Sequence, residues 1–267
     1  MSHHSLGQFF PGAAWASDHL EKIHLIRNTC YDPLMPLFGL SHGLTVLTLI
    51  LIASLCIHTG RRGHAWPRAF LAFVCLSVFP INQLALMSLD FKIPLDKLLP
   101  FHLCDFAALT AGFGILTKKP LLCELTYCWG LAGTIQGLIF PNPGWDFPAP
   151  MFWSYFVQHG VVVIAALYLP FAMKWKPREG VVPRIILWTQ IYFLLAMTAN
   201  GALGTNFGFL ASKPEVASPL DYLGDWPIYL IWLQVLATGL MTCLLLPFRK
   251  TINIWRPRRI RVSPTHE

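Results

Sequence analysis

Three residues that could do chemistry lie within four positions of one apolar stretch. The stretch PFHLCDF, residues 100–106, contains His102, Cys104 and Asp105. A cysteine attacks a carbonyl carbon as its thiolate, and it needs a base, normally a histidine held by a third polar group. His102 and Asp105 are three residues apart and share a helix face, whereas Cys104 points about 100° away from Asp105. His159 of the stretch QHG comes from another apolar run and is therefore the preferred base for Cys104.

The same residue types also have ordinary structural roles inside membrane helices. A cysteine often packs there as a small hydrophobe, and a histidine often bridges two helices by hydrogen bonds. A carboxylate in lipid is costly unless it is paired, which favours a functional site that includes Asp105. The residues alone leave both interpretations open.

The elements that position these residues are predicted to be membrane-spanning helices. Of the 267 residues, 55% are hydrophobic and only 12% are charged, and the apolar runs are long enough to cross a bilayer. We predict an all-α membrane protein with a single bundle of about seven transmembrane helices, over 37–248. The predicted spans are 37–59, 66–89, 98–117, 119–140, 152–173, 182–203 and 226–248. An extracytoplasmic segment, 1–36, would precede the bundle and a basic cytoplasmic tail, 249–267, would follow it.

The distribution of charge predicts the orientation. Fifteen of the 20 Lys and Arg residues fall on one side of the predicted spans. The positive-inside rule therefore places the N-terminus outside and the C-terminus in the cytoplasm, as in a multi-pass protein of a bacterial plasma membrane. Residues 9–28 would form an outer interfacial helix or a flexible tail. Because the basic residues separate apolar runs rather than forming one soluble patch, no nucleic-acid partner is expected.

This orientation brings polar residues from most spans to one outer layer of the bundle. Such convergence is typical of a water-accessible cavity for substrate. The further residues expected to line it are His42, Gln83, Gln136, Asn200 and Asn206. Glu124 lies in the other half and is expected to pair with Lys118 or Lys119 as a structural residue. The seven cysteines include no CxxC pair, so we expect free thiols and neither a metal nor a cofactor.

An ordered set of motifs resembles a known family. PFHLCD, ELTYCWGLAGTIQGLIFP, QHG, NGALGTNFGFL and SPLDYLGDWPIY are similar to the YwaF-type integral membrane family, which includes the animal transmembrane protein 164. The resemblance covers most of residues 35–248. It implies an acyltransferase that moves fatty acyl chains between phospholipids through an acyl-cysteine. It also implies that Cys104 is the family cysteine and His159 the family histidine.

The leading hypothesis is a membrane lipid acyltransferase or transacylase, with phospholipids as substrates and no obligate protein partner. Cys104 would attack the acyl carbonyl, His159 would move the proton, and Asp105 or His102 would orient the base. Oxyanion stabilisation would come from Asn200, Asn206 or Gln136. Attack by a lyso-lipid would complete transfer, whereas attack by water would make a hydrolase. The alternatives are a transporter or small-molecule receptor that uses the same polar cluster, and a structural assembly factor.

Overall fold

The computed structural model describes residues 38–89, 93–214 and 218–256. Within these ranges the chain is helical, with connecting loops and no strand. The predicted all-α membrane bundle is therefore confirmed for this part of the chain. The suggested interfacial helix at 9–28 and most of the basic tail lie outside the described residues. The predicted division into segment, bundle and tail, and the orientation of the termini, remain predictions.

Six helical segments are long and apolar enough to cross a membrane, and they correspond to six of the seven predicted spans. The helices that form them are α1 (Leu40–Arg61), α2 (Trp66–Leu86), α3 (Leu95–Leu98), α4 (Leu103–Thr117), α7 (Pro150–Phe171), α8 (Val181–Leu203) and α9 (Ile228–Leu245). The short α3 precedes α4 in one segment, and a 3₁₀ turn, Leu246–Lys250, extends α9.

The fourth predicted span, 119–140, is helical but divided into three parts. It consists of α5 (Pro120–Cys128), a π-helical segment (Trp129–Thr134) and α6 (Gln136–Ile139). Two glycines allow close packing here, because a Cβ at Gly130 would lie 2.8 Å from Ala166 Cβ of α7 and one at Gly133 would lie 2.8 Å from Leu103 Cδ2 of α4. The π-helical segment therefore lies tightly against the two helices that carry His159 and Cys104.

Helix α7 lies at the centre of the bundle. In its most apolar window 72% of the residues are buried, compared with 11% in α1 and 44% in the segment that contains α4. Its buried residues include Phe152, Phe156 and Leu169, together with the polar Gln158 and His159. A histidine on this helix is therefore surrounded by protein rather than by lipid.

Glu124 has different partners from those expected. Its carboxylate is fully buried and accepts hydrogen bonds from Arg178 at 2.9 Å and Arg184 at 2.8 Å, whereas Lys118 and Lys119 are exposed. Lys118 ends α4 in a left-handed conformation at φ 56°, and the chain turns there before α5 begins. The expected lysine pairing is therefore wrong: planar guanidinium groups bind a buried carboxylate through more than one hydrogen bond, which a lysine does less well.

Candidate functional site in the bundle

Asp105 anchors the start of α4 to α7. Its Oδ2 accepts a hydrogen bond from the backbone N–H of His102 at 3.1 Å, and its Oδ1 accepts one from Gln158 Nε2 at 2.6 Å. The side chain points into the protein, as the cost of a bare carboxylate in lipid predicts. Asp105 thus fixes the first turn of α4, which carries Cys104.

His102 connects the start of α4 to α3 and to the short 3₁₀ helix Phe207–Phe209. Its Nδ1 accepts a hydrogen bond from the N–H of Gly208 at 3.4 Å, and its Nε2 lies 3.2 Å from the carbonyl oxygen of Asp96. Because a carbonyl only accepts, the proton resides on Nε2. Phe207 packs against the ring with centroids 5.4 Å apart. Both ring nitrogens are therefore engaged by the backbone.

His159 has one engaged nitrogen and one available nitrogen. Its Nδ1 lies 2.8 Å from the carbonyl oxygen of Tyr155 and must donate to it, which leaves the lone pair on Nε2. Nε2 makes no hydrogen bond within the described ranges. The ring stacks on Tyr155 at 4.1 Å, and the Tyr155 hydroxyl donates to the carbonyl of Gly137 at 2.9 Å. His159 is therefore in the tautomer that can accept a proton at Nε2, and Tyr155 holds its ring in place, as a general base requires.

Cys104 is the second residue of α4 and is partly buried. No hydrogen bond joins its sulfur to His159 in the described part of the chain. Tyr155 and Tyr192 lie close enough to Cys104 for their charges to interact. Tyr155 therefore stacks on His159 and lies within electrostatic range of Cys104. The expected position of Cys104 Sγ near a His159 nitrogen, within hydrogen-bond reach or somewhat farther without substrate, stays a prediction.

The other residues expected to line the site make no hydrogen bond with Cys104, Asp105 or His159 among the described residues. His42 Nε2 lies 2.8 Å from the carbonyl of Leu138, which ties α1 to α6. Gln83 Nε2 donates to the carbonyl of Lys97 at 3.4 Å. Gln136 is exposed at the start of α6. His42 and Gln83 therefore connect different helical elements by hydrogen bonds. Of these three residues, Gln136 is the one whose side chain makes no hydrogen bond within the described part of the chain.

The two asparagines organise the loop that follows α8. Asn200 Oδ1 accepts hydrogen bonds from Thr205 Oγ1 at 3.1 Å and Phe207 N at 2.6 Å, while its Nδ2 donates to Phe207 O at 3.0 Å. Asn206 makes comparable bonds with Ser212, its Nδ2 lying 2.8 Å from Ser212 Oγ. These bonds hold the loop that presents the Gly208 N–H to His102.

Three residues of the cluster are not predicted from the sequence: Tyr155, Gln158 and Thr134. Tyr155 and Gln158 stand four and one positions before His159, and the i, i+3, i+4 spacing places the three residues on one face of α7. This spacing could have identified Tyr155 and Gln158 from the sequence, because a buried carboxylate such as Asp105 requires a hydrogen-bond donor. The Thr134 hydroxyl is buried and has no partner among the described residues. Its neighbour Gly133 packs on Leu103, next to Cys104.

The arrangement can provide a nucleophile and a base. Among the described residues no group of three or more His, Cys, Asp or Glu side chains could hold a metal ion. The helices and the enclosed polar cluster define an α-helical multi-pass membrane protein with a polar site inside the bundle.

Comparison with known proteins gives the family. The model of the TMEM164 family matches residues 37–245, and the chain belongs to this family. The predicted resemblance to the family of transmembrane protein 164 is thereby confirmed, whereas the YwaF label stays a prediction. The chain is also 27% identical over 160 residues to an uncharacterized protein of Treponema pallidum (strain Nichols). That match covers 57% of this chain and 62% of the relative, less than two thirds of its length. No solved structure matches the chain.

Proposed function

We propose that the protein is a membrane lipid acyltransferase with Cys104 as nucleophile and His159 as general base. The observation that carries this proposal is the state of His159: Nδ1 is held by the Tyr155 carbonyl, and Nε2 keeps its lone pair. Tyr155, which supports that ring, also lies within electrostatic range of Cys104. The family membership supports the same class of reaction. Its substrates would be phospholipids of a bacterial plasma membrane.

In the first half-reaction, His159 Nε2 accepts the proton of the Cys104 thiol, and the sulfur attacks the carbonyl carbon of a lipid ester. The new C–S bond forms a tetrahedral intermediate, and the ester C–O bond then breaks. The leaving lipid alkoxide takes the proton back from His159. The products are a lyso-lipid and an acyl thioester on Cys104.

In the second half-reaction, the hydroxyl of another lyso-lipid gives its proton to His159 and attacks the thioester carbon. The C–S bond breaks, and the thiolate of Cys104 recovers its proton from His159. Water in place of the hydroxyl would release a free fatty acid, so the acceptor decides between transferase and hydrolase.

Other residues of the site position the nucleophile and the base. Asp105 and His102 make no hydrogen bond with His159; they hold the first turn of α4, and the Tyr155 carbonyl orients the base. The N–H of Cys104, at the start of α4, has no backbone acceptor within the helix and is suited to an oxyanion. The Thr134 hydroxyl is a further donor with spare capacity.

The test is acyl transfer from a phosphatidylcholine with a labelled chain to a lyso-lipid, by purified protein in lipid nanodiscs. Cys104→Ala and His159→Ala are expected to abolish transfer, and Cys104→Ser to leave at most a trace. The control is Cys128→Ala, which changes a buried thiol of α5 at the packing interface. The wild-type protein should also accumulate a hydroxylamine-sensitive acyl group on Cys104. A Cys104→Ala protein that transfers acyl chains at the wild-type rate would exclude covalent cysteine catalysis.

A further inference from the structure

A cavity of about 210 Å³ lies between α2 and α4, beside the first turn of α4. Its walls are almost entirely apolar and include Val78 of α2 and Ala108 of α4. Among the described residues that line it, Asp105 is the one with a carboxyl group, and its oxygens are engaged by His102 and Gln158. An apolar ligand segment therefore meets no unsatisfied charge in this cavity.

The mouth of the cavity faces the lipid side of the bundle. Phe79 and Leu109 both line it, and they are 36% and 40% exposed. Pro80 lies beside Phe79 inside α2, where a proline removes a backbone hydrogen bond and bends a helix. The neighbouring exposed side chains on the same two helices, such as Phe73 and Phe113, are apolar as well. The opening therefore leads sideways toward acyl chains and not into water.

The inner end of the cavity lies at the reactive turn. Asp105 lines it, and Cys104 is the adjacent residue in the same first turn of α4. Pro100 lines it just ahead of that turn. Cys104 itself does not line the cavity, so a chain that enters past Phe79 and Leu109 ends at the helix turn that carries the proposed nucleophile.

We infer that this cavity binds a segment of the lipid acyl chain next to the ester that reacts at Cys104. The identity of the ligand as the acyl substrate rests on the proposed function. The volume is below the ~300–1,000 Å³ of pockets that enclose whole small-molecule ligands. It therefore admits part of one hydrocarbon chain, while the headgroup and the rest of the lipid stay outside.

A larger hollow of about 510 Å³ does not fit this role. It is lined by Glu179, Arg249 and Lys250 among others, near the start of α8. The loop that contacts His102 follows the other end of that helix, Leu203. A 23-residue helix separates the two places by roughly 35 Å at 1.5 Å per residue.

The inference is tested by photo-crosslinking with a phosphatidylcholine whose chain is ether-linked and carries a diazirine. The ether cannot be attacked as an ester can, so the experiment reports binding without chemistry. The full-length protein is placed in vesicles that contain the probe, and crosslinked residues are mapped by peptide mass spectrometry. We expect crosslinks concentrated on α2 and α4 at Val78, Phe79 and Leu109.

Ala108→Leu should reduce these crosslinks at least fivefold, because the larger side chain occupies the cavity. Leu109→Trp should reduce them similarly by narrowing the mouth, and it places no added volume in the core. Ala69→Leu is the matched control, because Ala69 is exposed on α2 and does not line the cavity. Its crosslinking should equal that of the wild type.

Two results would overturn the inference: crosslinks spread evenly over the lipid-facing helices, or wild-type crosslinking in both Ala108→Leu and Leu109→Trp. Cys104→Ala should crosslink like the wild type. If it does so yet still transfers acyl chains, the cavity binds lipid and the proposed mechanism fails. If Cys104 proves essential for transfer while the cavity variants crosslink normally, only the cavity assignment fails.

Discussion

Replacing Gly137 with alanine is expected to disable His159 while the bundle remains folded. A Cβ at Gly137 would lie only 2.6 Å from His159 Nε2 and 3.0 Å from the Tyr155 hydroxyl. The imidazole cannot simply rotate away, because its Nδ1 is bound to the Tyr155 carbonyl at 2.8 Å and its face is stacked on the Tyr155 ring. The methyl group therefore displaces the very nitrogen that the proposed mechanism uses as a base.

The size of the effect follows from these distances. Ordinary contact begins at about 3.4 Å, so His159 Nε2 has to move by about 0.8 Å from a Cβ that would lie 2.6 Å away. The ring carbon Cδ2 would lie closer still and has to move further. A misplacement of about 1 Å in a reacting group lowers a rate by ~100-fold. Loss of the stacking and of one hydrogen bond together would destabilise the fold by about 1–3 kcal/mol. Activity should therefore fall much further than stability.

The assay measures acyl transfer and the unfolding temperature of Gly137→Ala in the same nanodisc preparation. Gly239→Ala in α9 is the matched control, because no heavy atom lies within 4 Å of the added Cβ. It should retain wild-type transfer. A Gly137→Ala protein that transfers acyl chains at the wild-type rate would refute the assignment of His159 as the base held in this position.

Three further outcomes are expected. Glu124→Gln should destabilise the protein by about 3 kcal/mol in thermal unfolding, because it breaks a buried ion pair, whereas the exposed Lys118→Gln should change stability by less than ~0.5 kcal/mol; equal effects would contradict the assigned partners. Asn200→Ala should destabilise by about 1–3 kcal/mol and slow acyl transfer, since it removes three hydrogen bonds of the loop that contacts the site; an unchanged unfolding temperature would contradict it. A topology reporter fused after Glu267 should report cytoplasm and one inserted near Pro143 the outside; a cytoplasmic signal at Pro143 would overturn the orientation.

The membrane helices were predictable because the length of an apolar run reports them directly. The predicted span 182–203 corresponds to Val181–Leu203, and 152–173 corresponds to Pro150–Phe171. The division of the fourth span was not predictable in the same way. Hydropathy registers that Trp129–Thr134 is apolar, but it does not register that Gly130 lies against Ala166 in the folded bundle.

The site was predictable in kind but not in its pairings. An intramembrane carboxylate must have a polar partner, and this requirement alone predicts that Asp105 points into the bundle. Which donor it meets depends on how α4 and α7 are rotated, so Gln158 is identifiable only once both helices are positioned. The partners of Glu124 were wrongly predicted for the same reason. The lysines are near it in sequence, whereas its partners in the fold are arginines 54 and 60 residues away.

The hydrogen bonds within the cluster distinguish residues that hold the structure from residues that are available for the proposed reaction. Asp105, His102 and Asn200 have their polar atoms engaged by partners in the described part of the chain, which accounts for their presence in an apolar bundle. His159 Nε2 and the Thr134 hydroxyl are not engaged in that way. The engaged groups therefore explain the architecture, and the lone pair of His159 Nε2 is left for the proposed reaction. In the proposed reaction the Cys104 thiol supplies the proton that His159 Nε2 accepts, and the attacked carbonyl of the lipid ester supplies an oxygen that gains negative charge and can accept a hydrogen bond from the Thr134 hydroxyl.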